Sequence, residues 1–145
     1  METFRTARLI ENILKSKILD NCFSIDYTLG MEIGIDIEEN ERFKNISETF
    51  ISHTYTENEI LHARKAVNSY ERWCALWCAK EAVIKAFSNK GLRLKEIEIV
   101  CEDNGKPKIV RNKMIEDELK KLGASEIKIS ISHSKNYSTA VCLVY

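Results

Sequence analysis

The run Trp77-Cys78-Ala79-Lys80-Glu81-Ala82-Val83-Ile84-Lys85-Ala86-Phe87 constrains this chain more than any other stretch. It holds neither Gly nor Pro and is rich in good helix formers, so it reads as helix. At about 100° per residue, Trp77, Glu81 and Lys85 form one stripe, each a turn from the next. Trp73, Leu76, Val83 and Phe87 form a second, apolar stripe that should face a core. Lys80 stands about a quarter turn from Glu81 and points elsewhere. On spacing alone, Glu81 and Lys85 are an ordinary i,i+4 pair on a solvated face, worth about 0.2–0.5 kcal/mol. The same spacing also sets a carboxylate and an ammonium beside a large aromatic ring.

The helix needs something to pack on. With 145 residues the chain has the size of one domain that can bury a core. Leu9, Ile10, Ile13, Leu14 and Ile18 recur at helical spacing, which predicts an amphipathic helix over Thr6 to Leu19. Phe23, Ile25, Tyr27 and Leu29 alternate with polar residues and suggest an added edge strand. Residues 1–30 thus read as an N-terminal extension. After Gly30, Ile33, Ile35 and Ile37 predict a second strand, with Asp36 and Glu38 on the opposite face. Taken alone, Asp36 is a solvent-facing acid on a half-exposed sheet.

Glu41 to Phe50 should form short helical turns. Thr56-x-x-Glu59 is a capping box that starts a helix near Glu57. Ser69 is the expected N-cap of the central helix, and Gly91 the left-handed residue that closes it. Ile97, Ile99 and Cys101 predict a strand, Asp103-Asn104-Gly105 a turn, and Pro107 the start of the next extended piece. Asn112 to Leu122 reads as a helix ended by Gly123. Glu126 to Ser132 and Ser138 to Val144 read as strands. This order gives an α+β single domain, with a mostly antiparallel sheet packed against a long central helix.

Composition excludes several functions. Twenty-two basic and twenty-two acidic residues cancel, which argues against a general nucleic-acid binder. No apolar run approaches the ~18 residues of a membrane span. Glu2, Arg5, Arg8 and Glu11 rule out a signal peptide at the N-terminus. Five cysteines, an odd number without a disulfide framework, predict a reduced, cytoplasmic protein. Cys74 and Cys78 are one helical turn apart with no second thiol pair or nearby His, so they do not indicate zinc.

Four segments in order carry a family resemblance. Trp77 to Phe87 resembles the W/F-x-x-K-E-A-x-x-K-A motif of the 4'-phosphopantetheinyl transferases. Gly34-Ile35-Asp36-Ile37 with Glu39 resembles their early G-x-D-I-x-E strand. Asn104-Gly105-Lys106-Pro107 resembles their G-K-P turn, and Ile131 to Tyr137 their S-H-x-x-x-Y segment. The single copy of each motif is similar to the small holo-acyl-carrier-protein synthase type. The resemblance covers about Met31 to Tyr145. The loop after Phe87 departs from it, being shorter than the usual Gly-rich loop and carrying Lys90.

That resemblance implies transfer of phosphopantetheine from coenzyme A to a serine of an apo-acyl carrier protein, releasing 3',5'-ADP. It implies magnesium on Asp36 and Glu81, with Lys85 as a third catalytic residue that neutralises phosphate or helps deprotonate the serine. His133, Lys106 and Pro107 are implied as further substrate contacts. Arg42 and Lys44 are candidates for gripping an acidic carrier, the alternative being a solvated helix face, and the resemblance implies a homotrimer as the assembly. Magnesium takes hard oxygen ligands and commonly keeps several waters, so two carboxylates plus phosphate oxygens suffice. Two such carboxylates ~4 Å apart repel by roughly 4 kcal/mol at an effective dielectric near 20, which a cation between them relieves. Two rivals remain at this point. One is a non-catalytic module that binds coenzyme A or the carrier; the other is an unrelated metal-dependent phosphohydrolase.

Overall fold

In the computed structural model the described residues are 31–145. The helix expected over Thr6 to Leu19 and the strand over Phe23 to Leu29 lie outside them. Strand β1 (Glu32–Glu39) alternates as expected, but its apolar face is the open one. Ile33, Ile35 and Ile37 are 67%, 64% and 64% exposed. Gly34 is buried and Asp36 half-buried on the other face, against the central helix α3 (Ser69–Phe87). The cause is backbone approach. A Cβ added at Gly34 would lie 2.0 Å from the Ala82 carbonyl oxygen and 2.5 Å from the Ala86 nitrogen. Only glycine permits that contact, and the small Ala82 and Ala86 supply the other half of it. The helix therefore rides on β1 main chain, and Asp36, two residues on, lies beside it.

Strand β5 (Tyr137–Val144) runs between β1 and β4 (Ile127–His133) in an antiparallel sheet ordered β1-β5-β4. Asp36 pairs with Ala140, and Gly34 with Cys142. Ser138, Ala140, Cys142 and Val144 point into the core. A second, two-stranded sheet joins β2 (Ile99–Cys101) to β3 (Pro107–Ile109). Gly105, at φ 82°, makes the turn between them, as the Asp103-Asn104-Gly105 signal predicts.

Helix α1 (Glu48–Thr54) follows a 3-10 turn at Asn40–Phe43. Helix α2 (Glu57–Arg64) starts at the predicted capping box, with Thr56 and Glu59 bonding reciprocally. Helix α4 (Lys113–Leu122) is capped by the Asn112 side chain and ended by Gly123 at φ 68°. The α+β architecture thus holds.

Three boundaries differ from expectation. Asn68, not Ser69, is the N-cap of α3; its amide donates to Glu71 and Ser69 is already helical. The left-handed residue closing α3 is Ser88, at φ 52°, not Gly91. The last core side chain of the helix is Phe87, so the chain must turn at once, and the Asn89 N–H closes onto the Ile84 carbonyl at 3.3 Å. Ile97 follows a 3-10 turn rather than opening β2.

Trp73, Val83 and Phe87 are buried as the stripe predicts, and Leu76 packs on the core's edge. Lys80 is the surprise within that core. Its ammonium and the Glu59 carboxylate meet at 2.7 Å with side chains 0% and 1% exposed. The ammonium also donates to the Leu94 carbonyl at 2.9 Å and the Ile97 carbonyl at 2.6 Å, using all three protons. Glu59 accepts in addition from the Thr56 and Ile99 N–H groups, each at 2.8 Å. One pair thereby ties α2, α3 and the segment entering β2 together.

Candidate functional site

Asp36 reaches the α3 surface from β1, and Lys85 meets it from the helix. Lys85 Nζ donates to Asp36 Oδ1 at 2.7 Å and to the Ile35 carbonyl at 3.1 Å. The Lys85 side chain is 50% exposed and that of Asp36 14%. Lys85 therefore pairs across to the strand rather than with Glu81 along its own helix. Its hydrogen bond to Asp36 lifts the Lys85 ammonium above the usual lysine range, with the Asp36 and Glu81 charges adding to it. Glu81, one turn back, is pushed up by partial burial first and by the nearby Asp36 charge second, with Lys85 opposing. Two carboxylates, one from a strand and one from a helix, thus share one field with a single ammonium.

The same helical stripe continues to Trp77, half-buried among Phe43 and Phe50. The Phe50 ring stacks on it at 5.5 Å and the Phe43 ring tilts against it at 6.0 Å. Two carboxylates are the hard oxygen donors that a divalent cation takes, alongside water and phosphate oxygens. Among the described residues no three His, Cys, Asp or Glu side chains converge as a metal cluster would. Glu38, on the same face of β1 as Asp36, pairs with Arg42, and Glu39 is exposed.

The other sequence-derived residues fall elsewhere. Pro107 and His133 line a cavity of about 640 Å³ between α2, α3 and the β2–β3 sheet, whereas Lys106 is exposed outside its lining. Leu76, Ile99 and Ile131 form apolar wall, and His62 and Arg72 add basic groups. The lining contains none of Asp36, Glu81 or Lys85. His62 and Arg72 were missed from the sequence, because nothing in their local spacing marks them; only the packing of α2 beside α3 brings them together. Asn40 was missed too. It is 1% exposed, donates to the Ser134 and Lys135 carbonyls at 3.0 and 3.2 Å, and accepts from the Ser138 hydroxyl at 2.7 Å. That buried amide fixes the loop leaving His133.

Arg42 and Lys44 are not free cations. Arg42 pairs with Glu38, and Lys44 pairs with Glu41 at 2.6 Å. Arg64, on the next helix, pairs with Glu48 at 2.5 Å.

The sequence profile of the 4'-phosphopantetheinyl transferase superfamily matches residues 32–142. The chain belongs to that superfamily. It is 39% identical over 118 residues to the holo-[acyl-carrier-protein] synthase of Fusobacterium nucleatum, a match covering 77% of this chain and 96% of that protein. It is also 35% identical over 115 residues to the fatty acid synthase subunit alpha of Candida parapsilosis. That match covers 77% of this chain but spans only 6% of the much longer fungal protein. Among solved structures, the fold is similar to the holo-(acyl-carrier-protein) synthase from Bacillus anthracis in complex with coenzyme A (3',5'-ADP). The two share 29% identity and a TM-score of 0.65, over 78% of this chain and 94% of that one. The coenzyme A complex of the Chronobacterium ammoniagenes enzyme is similar at 26% identity and TM-score 0.66, over 79% and 96%.

Proposed function

We propose that this protein is a holo-[acyl-carrier-protein] synthase that transfers 4'-phosphopantetheine from coenzyme A to a serine of an apo-acyl carrier protein. The observation that carries this reading is the ion pair of Lys85 with Asp36 across to the strand, with Glu81 one helical turn from Lys85, at the positions the family's motifs assign. The serine oxygen forms a bond to the phosphorus that bears the pantetheine arm. The P–O bond to 3',5'-ADP breaks, and the serine proton leaves to a base. Asp36 and Glu81 would hold magnesium, which supplies charge neutralisation on the pyrophosphate when bound. Lys85, on a half-exposed stem, reaches either a phosphate oxygen or the incoming serine. The cavity with Pro107, His133, His62 and Arg72 has apolar walls and basic groups, with Glu71 also in its lining, and on this reading takes the nucleotide end of coenzyme A. A non-catalytic binding module has no use for the carboxylate pair.

The carrier belongs to fatty-acid synthesis on this reading, supported by the fungal synthase subunits among the relatives. A cytoplasmic setting is supported by the free thiols of Cys74, Cys78, Cys101 and Cys142. No helix among the described residues is long and apolar enough to cross a membrane. Arg42 and Lys44 can grip an acidic carrier only by releasing Glu38 and Glu41, so charge steering is weaker than their number suggests. Incubation with coenzyme A, magnesium and an apo-acyl carrier protein should add the phosphopantetheine mass to the carrier. Absence of that gain with several carriers would refute the assignment.

The assembly proposed is a homotrimer with sites shared between subunits. Two observations support it. The outward sheet face carries Ile33, Ile35 and Ile37 opposite Leu143, Val141 and Thr139, an apolar surface of the kind that covers itself with another copy. The cavity and the carboxylate pair are also separate within one chain, as expected if a site is completed by a neighbour. Light scattering should give three times the chain mass, and Ile35→Glu should shift it to a monomer. A wild-type monomer at micromolar concentration would overturn the trimer.

A further inference from the structure

We infer that Lys85 is a built-in occupant of the Asp36–Glu81 site, so that a divalent cation and the pyrophosphate of coenzyme A bind cooperatively. The cation must displace the ammonium from Asp36, and the pyrophosphate provides its next partner. The inference rests on the metal-binding reading above and adds a coupling to it.

The contacts carry the argument. Lys85 Nζ gives two of its three protons to Asp36 Oδ1 at 2.7 Å and the Ile35 carbonyl at 3.1 Å, both oxygens of β1. It therefore sits where a hard cation would take Asp36. The two partners differ in freedom. Asp36 is 14% exposed and fixed in a paired strand, whose carbonyl at this residue accepts the Thr139 hydroxyl at 2.7 Å. Lys85 is 50% exposed on a flexible four-carbon stem that the core does not grip. When a divalent ion enters, Lys85 is the group that moves. Charge makes the move necessary. Asp36, Glu81 and Lys85 together sum to one negative charge, and the ion beside a retained ammonium would meet repulsion in place of a second free carboxylate.

Displacement leaves an ammonium without its carboxylate next to the site. A pyrophosphate held there offers anionic oxygens within the sweep of the same stem. Each ligand thus improves the site for the other, and by linkage the effect is reciprocal. Couplings of this kind fall at about 5–150-fold. Without phosphate, the lysine holds Asp36 and keeps metal affinity low.

The test uses Mn²⁺ as the probe, counted free by electron paramagnetic resonance, with the full chain, with and without coenzyme A and with no carrier present. Lys85→Met keeps helix propensity and stem volume but removes the charge. We expect it to bind Mn²⁺ alone at least about 5-fold more tightly than wild type, with a smaller gain on adding coenzyme A. Lys85→Arg keeps the charge and should keep wild-type Mn²⁺ affinity. Equal or weaker Mn²⁺ binding by Lys85→Met, or tighter binding by Lys85→Arg to the same degree, overturns the coupling while leaving the metal site intact. If neither wild type nor Lys85→Met binds Mn²⁺ with or without coenzyme A, the carboxylate metal site itself falls and this inference with it. Circular dichroism on the same samples confirms that each variant is folded.

Discussion

Glu81→Gln is expected to lose at least about a hundredfold in transfer rate while keeping its fold, the size seen when one charge-stabilising group is removed. The change is nearly isosteric, and Gln matches Glu in helix propensity. It removes a hard anionic ligand, so metal coordination and phosphate neutralisation both weaken. Stability in the absence of metal should stay level or rise slightly, because Lys85 already pairs with Asp36 and the Asp36–Glu81 repulsion is relieved. The pH dependence has a defined sign. Burial and Asp36 lift the Glu81 carboxyl above its ordinary 4.5, so the folded protein holds that proton more tightly than the unfolded chain. Wild type therefore loses stability as pH climbs from 4.5 through the raised value, and the variant lacks that loss. Turnover and metal-free melting on one preparation decide the matter. A near-normal rate, or a melting point far below wild type, refutes the assignment.

Lys80→Met should be the most destabilising of these substitutions and should act through the fold alone. It leaves the Glu59 carboxylate, 1% exposed, without its cation, a change that typically costs about 3–5 kcal/mol. That is a large share of the about 5–15 kcal/mol by which a domain is stable. Two main-chain carbonyls, of Leu94 and Ile97, lose their donor as well. Adding Glu59→Gln removes the uncompensated charge and should recover a large part of the loss. Urea unfolding of the single and double variants measures both. A single variant as stable as wild type would show that the pair contributes nothing.

Lys80 also marks where the sequence stopped being legible. Its position a quarter turn from Glu81 said that it points elsewhere, and it does. Nothing local said that it enters the core, because its partner lies 21 positions earlier and its carbonyl acceptors 14 and 17 later. Helix spacing fixes directions on one element; it carries no information on what another element brings to that side.

The isoleucines of β1 make the same point from the opposite direction. Alternation placed Asp36 opposite Ile33, Ile35 and Ile37, and the strand has that pattern. Hydrophobicity would bury the isoleucines, yet the helix packs on the acidic face. Backbone contact at Gly34 admits α3 there. The feature that decides the orientation is an absent side chain, which a hydropathy pattern cannot show.

By itself the sequence determined the α+β order of elements, the capping box at Thr56, the turn at Gly105, the end of α4 at Gly123 and the helical stripe of Trp77, Glu81 and Lys85. Each depends on residues within a few positions of one another, where backbone geometry is the only variable. Only the tertiary structure decided that Lys85 turns from Glu81 to Asp36 and that His62 and Arg72 join Pro107 and His133 in one cavity. In each case, the choice among competing partners follows from distances and burial that packing sets.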